Sequence, residues 1–299
     1  MSHFAVLVVG NDHEKQLAPY HEFESTGTND EYVEDVDITD EIRELMAEDC
    51  ADEDDPFMEA LAYHGLEARI VQDESEVDRD GDHKFGYAVV LDGQLIKAVN
   101  RTNPDRRWDW YQVGGRWTGF FRLKPGHSGV VGSPGLMTPQ PGAGTADQVR
   151  KGDVDWEGMR NAAGTAAGEL WDRVRSLAPM MWTSWEDVHA NFGEDVDEAR
   201  NFYHSQPGRQ MLRSSGDQGM IWVEDSVLVD RDTFVRQARD AAATTFAVVR
   251  DGEWYESGEM GCWGIVSNEG DRDDWNARFA EMLDGLPDDT LLTIVDCHI

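Results

Sequence analysis

Cysteine is scarce in this chain, and long hydrophobic runs are missing. The 299 residues include three cysteines, Cys50, Cys262 and Cys297, an odd number without C-x-x-C spacing. This pattern speaks against a disulfide framework and against a thiolate zinc site. The longest unbroken apolar run covers residues 4–9, whereas a membrane helix needs roughly 18–20 apolar residues. We therefore expect a protein that does not enter a membrane.

Several standard signatures are also missing. The N-terminus has no basic segment of the kind that opens a signal peptide, which predicts a cytoplasmic protein. The chain has no Walker loop, no G-x-S-x-G elbow and no G-x-G-x-x-G fingerprint, so the common nucleotide-binding and hydrolase motifs assign no activity. Whether the protein is an enzyme is left open by the sequence.

Basic residues are few compared with acidic ones. There are 26 Lys and Arg against 60 Asp and Glu, a formal net charge of −34. Binding of nucleic acid over the whole surface is therefore not expected, because attachment to phosphates depends on accumulated positive charge. An acidic shell of this kind serves solubility, imitates DNA toward a host DNA-binding protein, or collects cations. The sequence does not choose among these three interpretations.

The hydrophobic pattern predicts an α+β fold with a mixed β-sheet and flanking helices. Apolar runs typical of buried strands lie near both ends, at 4–9 and 291–295, and helical periodicity dominates between 156 and 283. Asp55 followed by Pro56 predicts the start of a helix that Gly65 closes.

The length fits one compact domain over 1–299 or two closely packed lobes. The lobes would cover about 1–124 and 151–299, joined by a Gly/Pro-rich loop at 125–145. Long loops in compact domains are either functional or disordered. We expect this one to act as a lid over the segment that precedes it.

Two stretches predict β-hairpins with an Asp-Gly turn, at 87–96 and 246–255. Both show the order aromatic, Ala, Val, Val, any residue, Asp, Gly, and both are followed by a Gly-rich segment that contains Trp. The repetition indicates an internal duplication of a hairpin unit, or two independent uses of a common turn.

The segment from 101 to 124 is a basic and aromatic island with a local charge of +4. Guanidinium groups bind phosphates and carboxylates, and indole rings stack on planar groups. Neighbouring glycines let backbone N–H groups approach an anion. The alternative is that the arginines pair with the acidic remainder while the aromatics fill a core. The candidate ligand-binding residues are Arg101, Arg107, Trp108, Trp110, Tyr111, Gly114, Gly115, Arg116 and Trp117.

The sequence resembles an uncharacterised protein family found mainly in bacteriophage and prophage genomes. The segments that carry the resemblance span nearly the whole chain: Ser2 to Gly10 (SHFAVLVVG), Leu17 to Glu24 (LAPYHEFE), Trp108 to Trp117 (WDWYQVGGRW) and Val295 to Ile299 (VDCHI). The resemblance brings no activity with it. It implies an accessory protein of the infected cell's cytoplasm, with nucleotides, nucleic acids or host defence factors as partners.

A second polar group lies near the two ends of the chain. Side chains alternate along a strand, so Asp296 and His298 share one face, and His3 is expected on a neighbouring strand. His21 and Glu22 add further nitrogen and oxygen ligands. The metal-ligand candidates are therefore His3, His21, Glu22, Asp296 and His298, a His/carboxylate set suited to a divalent cation.

Three functions follow as hypotheses. The first is binding of a small anionic planar ligand, such as a nucleotide or a signalling nucleotide, by the Arg/Trp segment. The second is inhibition of a host nucleic-acid-binding defence protein by an acidic surface that imitates DNA. The third is a metal-dependent hydrolase, in which a divalent metal activates water beside the aromatic segment.

Overall fold

The computed structural model describes residues 2–28, 30–51, 53–193, 195–221, 223, 225–261, 266–268 and 270–299. The strands within these ranges are β1 (His3–Val9), β2 (Glu34–Asp37), β3 (Ile70–Val71), β4 (Gly86–Leu91), β5 (Gln94–Thr102), β6 (Trp110–Gly115), β7 (Phe121–Arg122), β8 (Ser133–Pro134), β9 (Thr145–Ala146), β10 (Gln148–Arg150), β11 (Ala247–Arg250), β12 (Glu253–Glu256), β13 (Glu259–Met260), β14 (Val266–Ser267) and β15 (Leu291–His298).

Helices occupy most of the rest of the chain. They are α1 (His13–Leu17), α2 (Phe23–Thr26), α3 (Thr39–Ala47), α4 (Pro56–Tyr63), α5 (Trp156–Leu177), α6 (Trp185–Phe192), α7 (Val196–Ser205), α8 (Pro207–Ser214), α9 (Gln218–Ile221), α10 (Arg231–Asp240) and α11 (Arg272–Asp284), with short 3-10 turns at Ala18–Tyr20, Asp30–Tyr32, Glu74–Glu76, Lys151–Asp153 and Asp225–Leu228. The predicted α+β class is confirmed.

The main sheet is built around the last strand. Its order is β12-β11-β1-β15-β6-β8, with β10 pairing along the same edge of β15 as β6. Strand β1 runs parallel to β11 and antiparallel to β15. Residues from the first and the last tenth of the chain are therefore direct neighbours, and strands from both predicted lobes share one sheet.

Each face of this sheet buries a different core. On one face, Leu7, Leu292 and Ile294 pack with Trp275 and Phe279 of α11. On the other face, alternate residues of the same strands pack with Leu17 and Trp108, among them Val6, Val295 and Cys297. The central strands are buried on both sides, which explains the continuous apolar run of β1.

A second sheet, with the order β2-β5-β4-β3, carries α3 and α4 on its face. Helix α4 begins as the sequence predicts. The side chain of Asp55 accepts the backbone N–H of Met58, Pro56 is the first helical residue, and Gly65 adopts a positive φ just beyond the helix.

Both predicted hairpins form, but they lie in different sheets. Strands β4 and β5 turn at Asp92-Gly93 inside the second sheet, and β11 and β12 turn at Asp251-Gly252 at the edge of the main sheet. All four turn residues have positive φ, as a two-residue type I′ turn requires. The second Gly-rich segment falls partly outside the described residues, at 262–265, so the predicted duplication stays a prediction.

The remaining helices pack mainly on one another. Val174 and Ala178 at the end of α5 join residues of α6 to α9 in a separate apolar cluster. No helix in the ranges given above is long and apolar enough to cross a membrane.

Replacing a residue at the centre of the main sheet should be costly. Ile294 is fully buried, so Ile294→Ala is expected to lower the free energy of unfolding by about 2–5 kcal/mol. Ile96→Ala is the matched control, because Ile96 is 52% exposed on β5 and should change stability by less than about 0.5 kcal/mol. Urea denaturation measures both values. Equal losses in the two variants would contradict the assigned core.

Candidate functional site

One face of the main sheet changes from apolar to polar near the end of β15. Leu292 and Ile294 on this face are covered by the core that contains α11. The next two residues on the same face are Asp296 and His298, and the strand partner of His298 on β1 is His3. The alternation along the strand therefore places three polar, nearly buried side chains where the apolar layer ends.

The first of two His–carboxylate pairs joins the two ends of the chain. The Nδ1 atom of His3 lies 2.8 Å from Oδ1 of Asp296. The other carboxylate oxygen of Asp296 accepts the backbone N–H of Arg116 at 2.9 Å. Asp296 is almost fully buried, and these bonds compensate for the loss of hydration of its charge.

The second pair lies beside the first. The Nδ1 atom of His298 is 2.6 Å from Oδ1 of Asp109, and the two imidazole rings stand edge to face with 5.0 Å between their centroids. The side chain of His298 is 7% exposed, and its Nε2 atom is buried without a hydrogen-bond partner in the described part of the chain. An unpaired buried polar atom costs free energy, so this nitrogen has hydrogen-bonding capacity that the described residues do not use.

Trp110 forms the outer wall of the site. Its indole stacks on the ring of His298, with centroids 5.2 Å apart and an angle of 18° between the planes, and meets His3 edge to face. The side chain is nevertheless 42% exposed. A tryptophan with one face on the protein and a large exposed area is the kind of surface on which a planar group stacks.

Two buried carboxylates explain why glycine occupies positions 114 and 115 of the aromatic segment. Gly114 and Gly115 both have positive φ, and a Cβ atom on either would collide with a side chain, that of Asp147 at Gly114 and that of Asp296 at Gly115. The glycines therefore allow close approach of carboxylates rather than of a ligand anion, which corrects the role that the sequence suggested for them.

Asp147 holds the turn that follows β6. Its carboxylate is fully buried and accepts the backbone N–H groups of Gly119, Phe120 and Gly132 and the hydroxyl of Thr118. These four bonds connect the turn after Arg116 to the Gly/Pro-rich loop. One carboxylate thus contributes to holding both segments in place.

The predicted lid is in fact anchored along its first half. Strand β8 pairs with Gly114 and Gly115, and Val130 bonds with Gln148. The segment at 125–145 therefore extends the sheet edge beside the site through β8. Its tip exposes Leu136 and Met137.

Acidic side chains lie close to one another at the site. Burial raises the pKa of Glu22, and the nearby carboxylates of Glu24 and Asp109 raise it further, against the opposing effect of Arg106 and His298. One oxygen of Glu24 is buried without a hydrogen-bond partner among the described residues. Charges of one sign gathered beside two imidazoles are typical of functional sites.

Most of the predicted Arg/Trp set has structural roles instead. Arg101 is buried, forms an ion pair with Asp35 and donates to two backbone carbonyls. Arg107 pairs with Glu256 at 3.4 Å. The indole N–H of Trp108 bonds to a backbone carbonyl inside the core. Trp117 packs against one core of the main sheet and Tyr111 against the other.

Only two residues of the predicted ligand set remain at the site with an exposed side chain, Trp110 and Arg116. The guanidinium of Arg116 has no ion pair within the described ranges. Its backbone is fixed by the bond to Asp296, so the base of this side chain has a defined position beside His3.

The predicted metal set does not converge. His3, Asp296 and His298 do come together, but His21 packs on Trp108 and bonds to Ser25. Among the described residues, no group of three or more His, Cys, Asp or Glu side chains is arranged to hold a metal ion.

Two important residues were missed by sequence reasoning. Asp109 is not among the predicted site residues, although it stands next to Trp110 in the aromatic segment. Asp147 gave no signal, because it stands in an ordinary polar sequence and its four donors come from distant positions.

Comparisons with known proteins add no relative. No protein-family model, no curated protein and no solved structure matches this chain.

The close approach of Gly115 to Asp296 predicts a specific loss of stability. Gly115→Ala places a methyl group against the Asp296 side chain and should cost about 1–3 kcal/mol beyond the strain of a positive φ. Gly65→Ala is the matched control, since Gly65 also has a positive φ, +64° against +53° at Gly115, with open space around it. Chemical denaturation compares the two. The assigned contact is wrong if both variants lose the same free energy.

The raised pKa of Glu22 predicts that replacing this residue stabilises the fold, and that the gain depends on pH. A folded-state pKa above the ordinary 4.5 means that ionised Glu22 destabilises the fold; the cost sets in as pH rises through the ordinary value and is fully present above the folded-state pKa. Glu22→Gln should therefore raise Tm at neutral pH and leave it unchanged at pH below about 4. Glu67→Gln removes the same charge from the exposed surface and controls for the net charge. No difference between the variants at neutral pH would refute the prediction.

Proposed function

We propose that this chain binds a nucleotide or a related small anionic planar ligand at Trp110, in the cytoplasm of an infected cell as an accessory protein. The single observation that carries the proposal is the exposed indole of Trp110, held in place by stacking on His298. Stacking of a nucleobase on an aromatic side chain contributes about 1–3 kcal/mol and tolerates different bases. Because the indole is already held in one orientation, less conformational entropy is lost when the ligand binds.

The anionic part of the ligand has a partner at the same place. Arg116 is exposed, and its guanidinium can donate two parallel hydrogen bonds to a phosphate. The carboxylate of Asp296 fixes the Arg116 backbone beside His3. A base on Trp110 and a phosphate at Arg116 would thus lie on either side of the two imidazoles.

The local charge supports this orientation. The protein is strongly acidic overall, so an anion is repelled by most of the surface. Arg106 and Arg116 belong to the basic segment, and Arg106 is close enough to lower the pKa of Glu22. Because Glu22, Glu24 and Asp109 lie at the same site, the attraction for an anion comes from the exposed guanidinium of Arg116 and not from a basic surface.

Calorimetric titration with mono-, di- and cyclic nucleotides tests the proposal. We expect Trp110→Ala to weaken binding by about 5- to 150-fold, the equivalent of the stacking energy. Arg116→Ala should weaken the binding of nucleotides but not of the corresponding nucleosides, because the substitution removes only the partner of the phosphate.

The controls use the same residue types elsewhere on the surface. Tyr63→Ala removes another exposed aromatic ring, and Arg200→Ala removes another exposed guanidinium. Both should bind as the parent does. The proposal fails if no member of the panel binds more tightly than about 1 mM, or if Trp110→Ala binds as well as the parent.

A further inference from the structure

The two His–carboxylate pairs of the site point to an activity in addition to binding. We infer that His3 and His298 act as a proton-transfer pair that cleaves the phosphodiester bond of a bound ribonucleotide ligand. The inference rests on the proposed nucleotide site, because the ligand must bring its phosphate to the imidazoles. The argument depends on the orientation of the rings, the source of the nucleophile and the position of Arg116.

Each carboxylate fixes the orientation of one ring. A carboxylate accepts the Nδ1 proton of its imidazole at 2.8 Å in the His3–Asp296 pair and at 2.6 Å in the His298–Asp109 pair. This arrangement leaves Nε2 as the atom that gains or loses a proton, and it stabilises the imidazolium when one forms. Two such imidazoles in contact, at 5.0 Å between centroids, suit an acid and a base that act on the same phosphate.

The nucleophile must come with the ligand. In the described part of the chain neither of these imidazoles is hydrogen-bonded to a hydroxyl or a thiol. The neighbouring Cys297 lies on the opposite face of β15, where full burial raises the pKa of its thiol. A ribose 2′-hydroxyl is already held next to the phosphorus atom of its own phosphodiester, which makes it the best placed nucleophile.

The reaction balances without any further reactant. Nε2 of His3 takes the proton of the 2′-hydroxyl, and the 2′-oxygen forms a bond to phosphorus. The bond from phosphorus to the 5′-oxygen breaks, and the departing oxygen takes its electron pair and a proton from Nε2 of His298. The products are a 2′,3′-cyclic phosphate and a free 5′-hydroxyl, and solvent later restores the two protonation states.

The roles of the two histidines follow from their surroundings. His3 keeps 12% of its side chain exposed and takes the part of the base, whereas the Nε2 atom of His298 is buried and takes the part of the acid. The proton on Nε2 points along the plane of the ring, so the ligand must approach from the ring edge while the indole of Trp110 stays stacked on the ring face. The backbone of Arg116 is fixed through Asp296, and its exposed side chain is the cation that we assign to neutralise the charge that develops on the phosphoryl oxygens.

The test incubates the full chain with ribodinucleoside monophosphates and with their 2′-deoxy analogues, and separates the products by chromatography. Cleavage is expected only for the ribose compounds. His3→Asn and His298→Asn should each lower the rate by at least about 100-fold. His127→Asn is the matched control, because His127 forms a similar pair with Asp153, 2.7 Å apart, on the surface.

The dependence of the rate on pH separates proton transfer from a merely structural role. The parent should show a bell-shaped profile with one limb for the base and one for the acid. Asp109→Asn should alter the acid limb; because Asp109 also accepts the backbone N–H of Trp110, binding of the deoxy analogue to this variant is measured separately. This readout uses the parent protein, so it remains decisive even if a histidine variant fails to fold.

The outcomes distinguish the two proposals. If the deoxy analogue binds and the ribose compound is not cleaved, the cleavage inference is overturned while nucleotide binding stands. Cleavage that persists in both histidine variants, or a pH profile with a single limb, also overturns it. If neither compound binds, the nucleotide site itself fails.

Discussion

Two buried carboxylates organise the region around β6. Asp147 and Asp296 together accept four backbone N–H groups, at Arg116, Gly119, Phe120 and Gly132. Carboxylates buried to this degree would be unstable without such donors. Because the donors are backbone groups, the chain must wrap closely around each carboxylate, and only glycine fits at the two positions where the approach is tightest. The edge of the sheet and the position of Arg116 follow from this one arrangement.

The site lowers the stability of the fold, and the packing of the rest of the sheet compensates for this loss. Below the polar end of β15, the sheet is packed on both faces and its central strands are buried. At the polar end, a nitrogen of His298 and an oxygen of Glu24 are buried without partners in the described residues. Features that lower stability at one place are expected where a protein interacts with something else.

The sequence predicted correctly those features that depend on interactions between neighbouring residues. The Asp55 cap, both Asp-Gly turns and the apolar run of β1 depend on neighbours within a few residues, and the structure has all of them. The alternation along β15 also put Asp296 and His298 on one face and suggested His3 beside them. This part of the site was predictable because a strand has a period of two and the two end strands have matching apolar patterns.

Long-range partners were not predictable from one sequence. The pairing of β1 with β11 joins residues about 240 positions apart, and no local signal announces it. The arginines of the basic segment were candidates for a ligand, yet Asp35 and Glu256, far away in the chain, bind two of them. Composition shows that charges exist, whereas only the fold shows which of them remain unpaired.

The central place of β15 also affects the order of events during synthesis. When a growing chain has reached residue 290, β1 has been made with its parallel neighbour β11, but the strand that must stand between β1 and β6 does not yet exist. Parallel pairing is the weaker kind, and non-local sheets form slowly. The main sheet therefore closes only after the last of its strands leaves the ribosome. Until then the exposed edge of β1 is a surface that a chaperone, or another copy of the same chain, can reach first.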